Sequence, residues 1–256
     1  MIFDQHCLDA IDRSSSAVSC RPNDYPANTF IERHIHAKHQ LVYAVSGVLQ
    51  VNSDAGQWVV PPNRAIWMPA GTHHWVSCIG MTQMRSVYVH PSAVHHLPLE
   101  ARAVAITPLL RELILAAMHI PQPYDVASRD GRLMALLLDE LHTLPALPLH
   151  LPQPVDARLR QICGELQKRP ESASTLADWA VRLAVDVKTI QRLFAKETGM
   201  TFGQWRQQTR LLRALEYLAN GDKIVDIALE LGYDSPSAFT TMFKRQFGQT
   251  PSQFFA

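Results

Sequence analysis

The chain has little of what marks a secreted, membrane-bound or catalytic protein. It has four cysteines, Cys7, Cys20, Cys78 and Cys163, with no Cys-X-X-Cys pair, so no disulfide framework is predicted and a reducing cytoplasm is expected. The N-terminal MIFDQHCLDAIDR lacks a basic region followed by an apolar core, so we expect no signal peptide. The apolar run LMALLLDEL is too short and too acidic for a membrane span. No nucleophile elbow, phosphate-binding loop or paired-acid motif indicates an enzyme.

Histidine is absent after His150, although the chain has twelve histidines. Charge is divided in a similar way: residues 155–256 carry a formal charge of +3 and the remainder −2, for a total of +1. Between these parts, residues 143–154 (TLPALPLHLPQP) hold four prolines, which remove backbone donors and favour extended conformations. The sequence therefore predicts two parts of different chemistry joined by a semi-rigid linker.

The first part is rich in predicted strands. Residues 30–90 contain LVYAVSGVLQV, QWVV and THHWVSC, separated by turn signals such as NSDAG and PPN. Many short strands with no helix between them predict a small antiparallel β-barrel or sandwich within residues 1–100. Two apolar helices are predicted in residues 101–142, the first beginning at Thr107 and Pro108. These helices could form a dimer interface or pack against their own barrel, and the sequence leaves both possibilities open.

The last part, residues 155–256, is predicted to be entirely helical and repeats itself. RLFAKETGMTFGQW (192–205) aligns with TMFKRQFGQTPSQF (241–254) at an offset of 49 residues. Each copy reads as a short helix, a tight turn with a small residue, and a second helix with a polar outer face. A longer helix, about 203–219, separates the copies. The pattern predicts two helix-turn-helix units.

The second helix of a helix-turn-helix unit enters the DNA major groove, so its polar face supplies the candidate DNA contacts. In the first unit these are Lys188, Gln191, Arg192 and Lys196, and in the second they are Ser237, Thr240, Thr241, Lys244 and Arg245. Gln191 and Arg192 can pair with adenine and guanine edges, whereas Lys196 is expected on phosphate. The second unit is expected to contact mainly the DNA backbone, through Lys244 and Arg245. Taken singly, each residue would also fit an ordinary solvated helix face.

LADWAVRLAVDVKTIQRLFAKETGMTFGQWRQQTRLLRALEYL followed by IVDIALELGYDSPSAFTTMFKRQFGQTPSQF resembles the DNA-binding domain of the AraC/XylS family of bacterial transcription regulators. The resemblance covers about a hundred residues. It implies two helix-turn-helix units bridged by one long helix, with both recognition helices entering successive major grooves. It also implies base reading by Lys188, Gln191 and Arg192 in the first unit and by Ser237, Thr240 and Thr241 in the second. A basic residue is common in the family at the position of Thr241.

Two segments of the first part resemble the motifs of cupins, the small β-barrels that often serve this family as sensor domains. They are His34-x-His36-x3-Gln40-x6-Gly47 and Pro69-Ala-Gly71-x2-His74. Alternate residues of a strand share a face, so His34 and His36 are expected to point into the barrel, with Gln40 and His74 completing the site. Three imidazoles and one oxygen donor suit zinc, iron, manganese, nickel or copper.

The barrel departs from the cupin pattern at several positions. Gln40 replaces the usual glutamate, and Asn28, Asn63 and Cys78 stand where two glycines and an asparagine are usual. His39 and His73 are odd-spaced relative to the ligand candidates and are expected to face outward. The alternatives to a divalent transition metal are an organic effector held by the same polar side chains, or histidines with a purely structural role.

The sequence thus predicts a multidomain α+β chain, with a cupin-like barrel and helical segment followed by an all-α double helix-turn-helix domain. The hypothesis is a cytoplasmic bacterial transcription regulator that is not an enzyme. Its expected partners are double-stranded DNA, an unidentified small-molecule effector, RNA polymerase and a second copy of itself, with no membrane. The alternatives are a cupin metalloenzyme fused to a DNA-binding domain and a constitutive architectural DNA binder.

Overall fold

A computed structural model describes residues 11–62, 64–94 and 97–254. The chain divides into two compact units, one made of residues up to His150 without the turn Ala55–Gln57, and one made of that turn with Leu151 onward. Within the described ranges, no helix is both long and apolar enough to cross a membrane. The two units are described in turn.

The described residues contain one nine-stranded sheet, and most of its strands lie in the first unit. Its strands are β1 Val18–Tyr25, β2 Phe30–His34, β3 His39–Ser53, β4 Gly56–Val60, β5 Arg64–Met68, β6 His74–Val89, β7 Arg102–Ala105, β8 Ala146–Leu147 and β9 His150–Pro152. The order is β1-β6-β3-β5-β7-β8, with β2 on β6 and β4 on β3 and β9. The β1, β2 and β3 pairings with β6, and the β5 pairings with β3 and β7, are antiparallel. The predicted antiparallel β domain is confirmed.

The long pair β3 and β6 is interrupted at Gly47, where the register shifts. Gly47 has a φ of +79°, and a Cβ there would lie 2.5 Å from the Oγ1 of Thr82. Only glycine fits this close approach. Asn28 takes a φ of +62°, as expected for asparagine in place of a motif glycine, whereas Asn63 lies outside the described residues.

Two helices pack against this sheet. They are α1 Pro108–Ala117, whose N-cap Thr107 accepts a hydrogen bond from the Leu110 amide, and α2 Arg129–His142, capped by Ser128. Leu110, Ile114 and Leu137 share one buried cluster with Leu41 and Val87 of the sheet. Of the two roles that the sequence left open, packing against their own barrel is therefore present in the structure. The predicted linker contains β8 and β9, of which β8 pairs with β7.

The second unit is helical as predicted. Its helices are α3 Ala157–Lys168, α4 Leu176–Leu183, α5 Val187–Thr198, α6 Phe202–Ala219, α7 Ile224–Glu230, α8 Pro236–Phe247 and α9 Pro251–Phe254. Capping boxes begin α4 at Thr175 and α6 at Thr201. The recognition helices α5 and α8 end at Gly199 and Gly248, both in the left-handed conformation. The predicted helical helix-turn-helix region is confirmed.

The two helix-turn-helix units have corresponding turns. Ala184 follows α4 with a φ of +52°, and Gly232 follows α7 with a φ of +70°. Each recognition helix buries a pair of large apolar residues, Ile190 and Phe194 in α5, and Phe239 and Phe243 in α8. The duplication read from the sequence is therefore present in the backbone conformation and in the packing.

Candidate effector and DNA-binding sites

Three histidines form a cluster in the first unit. The ring centroids of His34 lie 4.9 Å from His36 and 4.3 Å from His74, and those of His36 and His74 are 5.5 Å apart. Each ring offers one nitrogen, and these nitrogens lie within 4.8 Å of one another. The structure thus brings together the three predicted histidines.

The strands that carry these residues are arranged differently from the prediction. His34 is the last residue of β2 and His74 the first of β6, and the two lie opposite each other after a register shift that follows Ile31. His36 lies beyond the end of β2, and Gln40 is on β3. His34 and His36 were expected to alternate on one strand, but β2 ends at His34, so His36 lies outside it, and residues 35–38 separate β2 from the strand of Gln40. Their side chains converge because β2 and β3 both pair with β6.

Backbone carbonyls fix the protonation of two of the rings. The Nδ1 of His34 lies 2.6 Å from the Glu32 carbonyl oxygen, and the Nδ1 of His74 lies 3.0 Å from that of Thr72. A carbonyl only accepts, so both Nδ1 atoms donate and both Nε2 atoms carry a lone pair. This arrangement is the usual support of a metal-binding histidine.

His36 is buried with neither ring nitrogen hydrogen-bonded to any residue of the described ranges. Burial, and then the charges of His34 and His74, lower the pKa of His36 to about 3. Burial lowers the pKa of His74 to about 4 and also lowers that of His34. At neutral pH the cluster therefore presents neutral imidazoles, which is the form that binds metals.

Gln40 completes the cluster. Its Oε1 faces the Nε2 of His74 at 3.1 Å, and its Nε2 donates to the Ser86 hydroxyl at 3.1 Å and the Tyr88 hydroxyl at 3.2 Å. In this orientation the lone pairs of Gln40 Oε1 and His74 Nε2 point toward each other. A cation bound between these two atoms would be coordinated by both. With the amide turned over, the Gln40 NH₂ would donate to His74 and its oxygen would accept from the hydroxyls. The donor set fits a metal ion or a polar ligand.

The other candidates near the motifs have other surroundings. His73 is exposed, as predicted. His39 points away from the cluster, but the expectation that it faces outward is wrong. It is 9% exposed, accepts a hydrogen bond from the Ala70 amide at its Nδ1 and stacks on Trp67. Burial raises the pKa of Cys78 to about 11, so this residue is a neutral thiol at physiological pH.

In the second unit the predicted DNA contacts lie on the outer faces of α5 and α8. Thr240 is half-buried, and the rest are exposed: Lys188, Gln191, Arg192, Lys196, Ser237, Thr241, Lys244 and Arg245. The buried faces of the same helices, through Phe194 and Phe243, hold them against their own unit. Both helices thus present polar side chains to solvent.

Two cations of the first unit were missed by sequence reasoning. Lys38 is 1% exposed, and its ammonium donates to the Ser19 hydroxyl at 3.1 Å and the Ser16 carbonyl at 3.2 Å. Arg21 is half-buried on β1. Nothing in the local sequence distinguishes either residue from an ordinary surface cation. Only the pairing of β1 with β6 places Ser19 and Arg21 beside the residues that contact Gln40.

Comparisons with known proteins agree with both halves of the molecule. Residues 16–181 match the family of AraC-like ligand-binding domains, and residues 179–256 match a helix-turn-helix domain family. The chain is 37% identical to the transcriptional regulator NimR of Escherichia coli over 223 residues, covering 87% of this chain and 81% of NimR. It is 30% identical to the activator RhaS of Yersinia pestis, covering 54% of this chain and 51% of RhaS.

A solved structure of ToxT from Vibrio cholerae aligns with 94% of this chain and 98% of ToxT, at 11% identity and a TM-score of 0.39, a score too low to support an argument. The family matches and the similarity to NimR are sufficient by themselves. The chain belongs to the AraC family of transcription regulators, with an AraC-like ligand-binding domain and a helix-turn-helix DNA-binding domain.

Proposed function

We propose that His34, His36, His74 and Gln40 hold a divalent transition metal ion and that this site is the input of the regulator. The observation that carries the proposal is the burial of both His36 ring nitrogens without a partner in the described ranges, beside two other neutral imidazoles. A buried polar group without a hydrogen bond is costly, and a metal ion would remove that cost for the one His36 nitrogen that carries a lone pair. The ion would supply a Lewis-acidic attachment point for a ligand.

The test is metal content of the full chain after equilibrium dialysis against zinc, nickel or manganese. We expect one ion per chain for the wild type and a loss of at least tenfold in affinity for His36→Ala and His74→Ala. His73→Ala is the matched control, because His73 is adjacent in sequence but exposed. Equal metal affinity in all four proteins would contradict the proposal.

A second candidate is a metal-free effector site. It is favoured by the hydrogen bonds of Gln40 to Ser86 and Tyr88, since a neutral amide is a weaker metal ligand than glutamate. In this case an organic effector would donate a hydrogen bond to one ring nitrogen of His36 and accept one from the other. Absence of metal binding together with effector-dependent changes in DNA affinity would favour this candidate. Turnover of a small acid or aromatic compound by the metal-loaded protein would instead favour the metalloenzyme alternative.

We propose that α5 reads bases through Lys188, Gln191 and Arg192, with Lys196 on phosphate. For α8 we propose backbone contacts through Lys244 and Arg245, with weaker base reading by Ser237, Thr240 and Thr241. The exposure of these faces supports the assignment. Selection of binding sites from random DNA would test base recognition by these residues. Binding titrations on the selected sites, with and without metal, would test whether metal regulates DNA affinity. A DNA affinity that neither metal nor an effector changes would support a constitutive binder.

The domain assignment that we propose is a sensor barrel in 1–100, a helical segment in 101–142, a linker in 143–154 and the DNA-binding domain in 155–256. A dimer, contact with RNA polymerase and a cytoplasmic location are also proposals. Leu109 on α1 and Leu136 on α2 are 49% and 43% exposed, which supports a role for these helices in self-association. Sedimentation of the full chain would measure the dimer directly.

A further inference from the structure

We infer that the effector bound beside the histidine cluster is a small carboxylic acid, and that Arg21 binds its carboxylate. The inference rests on the proposed function, because it takes the region around His36 and Gln40 as the effector site. It adds the chemical class of the ligand and the residue that selects it.

The position of Arg21 follows from strand register. Arg21 lies opposite Ser86, and Ser19 lies opposite Tyr88, in the antiparallel pairing of β1 with β6. Opposite residues of such a pair project from the same face of the sheet with their Cβ atoms about 5 Å apart. Ser86 and Tyr88 are the two residues whose hydroxyls contact the Gln40 amide. The Arg21 side chain therefore leaves the sheet on the face that carries the cluster.

The ring of Tyr88 connects this face to His36. The centroids of the two rings are 5.1 Å apart in an edge-to-face arrangement. A ligand that reached the unpartnered nitrogens of His36 would thus lie on the same side of β6 as Arg21. The charge of Arg21 opposes the effect of burial on the pKa of both Tyr25 and Tyr88, as expected for a guanidinium close to these hydroxyls.

The positive charges of Lys38 and Arg21 on this face do not have equal numbers of negative or hydrogen-bond-accepting neighbours. Burial lowers the pKa of Lys38, and the negative charge of Asp12 opposes this effect. The Lys38 ammonium also donates a hydrogen bond to the Ser19 hydroxyl. Arg21 is half-buried, yet its guanidinium makes no hydrogen bond or ion pair with the part of the chain that the structure describes. An arginine fork in this state is suited to two parallel hydrogen bonds with a carboxylate.

The histidine cluster adds to this preference for an anion. Three neutral imidazoles and the neutral amide of Gln40 would leave the charge of a divalent ion uncompensated, whereas the usual glutamate would reduce it. The same face continues with Val42, Ile66 and Met68, all fully buried or nearly so. A single anionic group fits the few donors at this end of the face better than a phosphate, whose greater charge needs more donors.

The experiment measures binding of small acids to the full chain, with zinc and metal-free, by calorimetry. The probes are acetate, pyruvate, benzoate and octanoate, each compared with its uncharged amide, together with inorganic phosphate. We expect at least one carboxylate to bind saturably while its amide does not, and Arg21→Gln to weaken that binding about ten- to a hundredfold. Arg33→Gln is the matched control, because Arg33 pairs with Asp54 at the surface, and it should bind as the wild type does.

Gln40→Glu separates this inference from the proposed metal site. The added carboxylate should strengthen zinc binding and weaken the binding of the carboxylate probe, whereas a folding defect would weaken both. Three results would overturn the inference: no carboxylate preferred over its amide, an unchanged carboxylate affinity in Arg21→Gln, or tighter binding of phosphate. If zinc still binds in these experiments, the proposed metal site is not contradicted. Arginine-dependent carboxylate binding without any zinc binding would support the inference and contradict the metal site.

Discussion

Acid should destabilise the metal-free first unit through His36. Its pKa in the folded state is about 3 because the ring is buried, against about 6.5 in an unfolded chain. Above both values the ring is neutral in both states, so the stability is fully present. Below pH 6.5 only the unfolded state takes up the proton, and the free energy of unfolding falls by about 1.4 kcal/mol per pH unit.

At pH 5 the loss from His36 amounts to about 2 kcal/mol relative to pH 7. The measurement is urea unfolding of EDTA-treated protein at both pH values, followed by hydrogen exchange in peptides from β3 and β6, which report the barrel alone. The comparison protein is His36→Gln, which cannot titrate. We expect its loss of stability between pH 7 and pH 5 to be smaller than that of the wild type by about 2 kcal/mol.

The difference between the two proteins isolates His36, because His34 and His74 titrate in both. Identical losses would refute the reasoning, since they would mean that His36 takes up a proton in the folded state as readily as in water. A saturating metal should also steepen the acid transition in the wild type, because protons and the metal compete for the same lone pairs.

Five further substitutions test the helical unit. Arg192→Ala should cost about 1–3 kcal/mol on the cognate operator and relax specificity at one base position, as measured by binding titrations on operator variants at fixed salt. Lys196→Ala should weaken binding to all sequences alike and reduce the slope of log affinity against log salt by about 1. Ala184→Gly should raise the free energy of unfolding by about 0.5–1 kcal/mol in urea titrations, because alanine there has a positive φ, whereas Gly232→Ala should lower it, since its Cβ would lie 2.9 Å from the Glu171 backbone. Thr175→Ala should cost about 1 kcal/mol in the same assay by removing the α4 cap.

The helical unit was predictable in detail because its signals are local. Thr175 and Asp178 are three residues apart and form the capping box themselves, and Gly199 ends α5 through its own backbone conformation. Such features depend on short stretches of chain, so the sequence alone was sufficient. Because the helix-turn-helix pattern occurs twice, the second copy supports the helix boundaries predicted from the first.

The histidine cluster was predictable in its members but not in its geometry. Motif spacing selected His34, His36 and His74, but strand alternation does not position His36, because β2 ends at His34. His39 was expected outside and is buried against Trp67, since a sheet covered by helices has no solvent-facing side at that position. Arg21 carried no signal at all, because its neighbour Ser86 is brought to it by strand register rather than by sequence proximity.

The α6 helix joins the two helix-turn-helix units in a single run of eighteen residues, Phe202–Ala219. At 1.5 Å per residue it is a rod of about 27 Å, and its buried side chains, among them Leu211 and Leu215, hold it in the core. The α6 rod cannot change its length or twist. Each base pair inserted into DNA, in contrast, moves the next contacted segment by about 3.4 Å along the DNA axis and by about 34° around it. On the proposed contacts of α5 and α8, we therefore expect the length of the operator between the two contacted segments to matter more than its sequence. A base substitution there should be tolerated, whereas an inserted base pair should not.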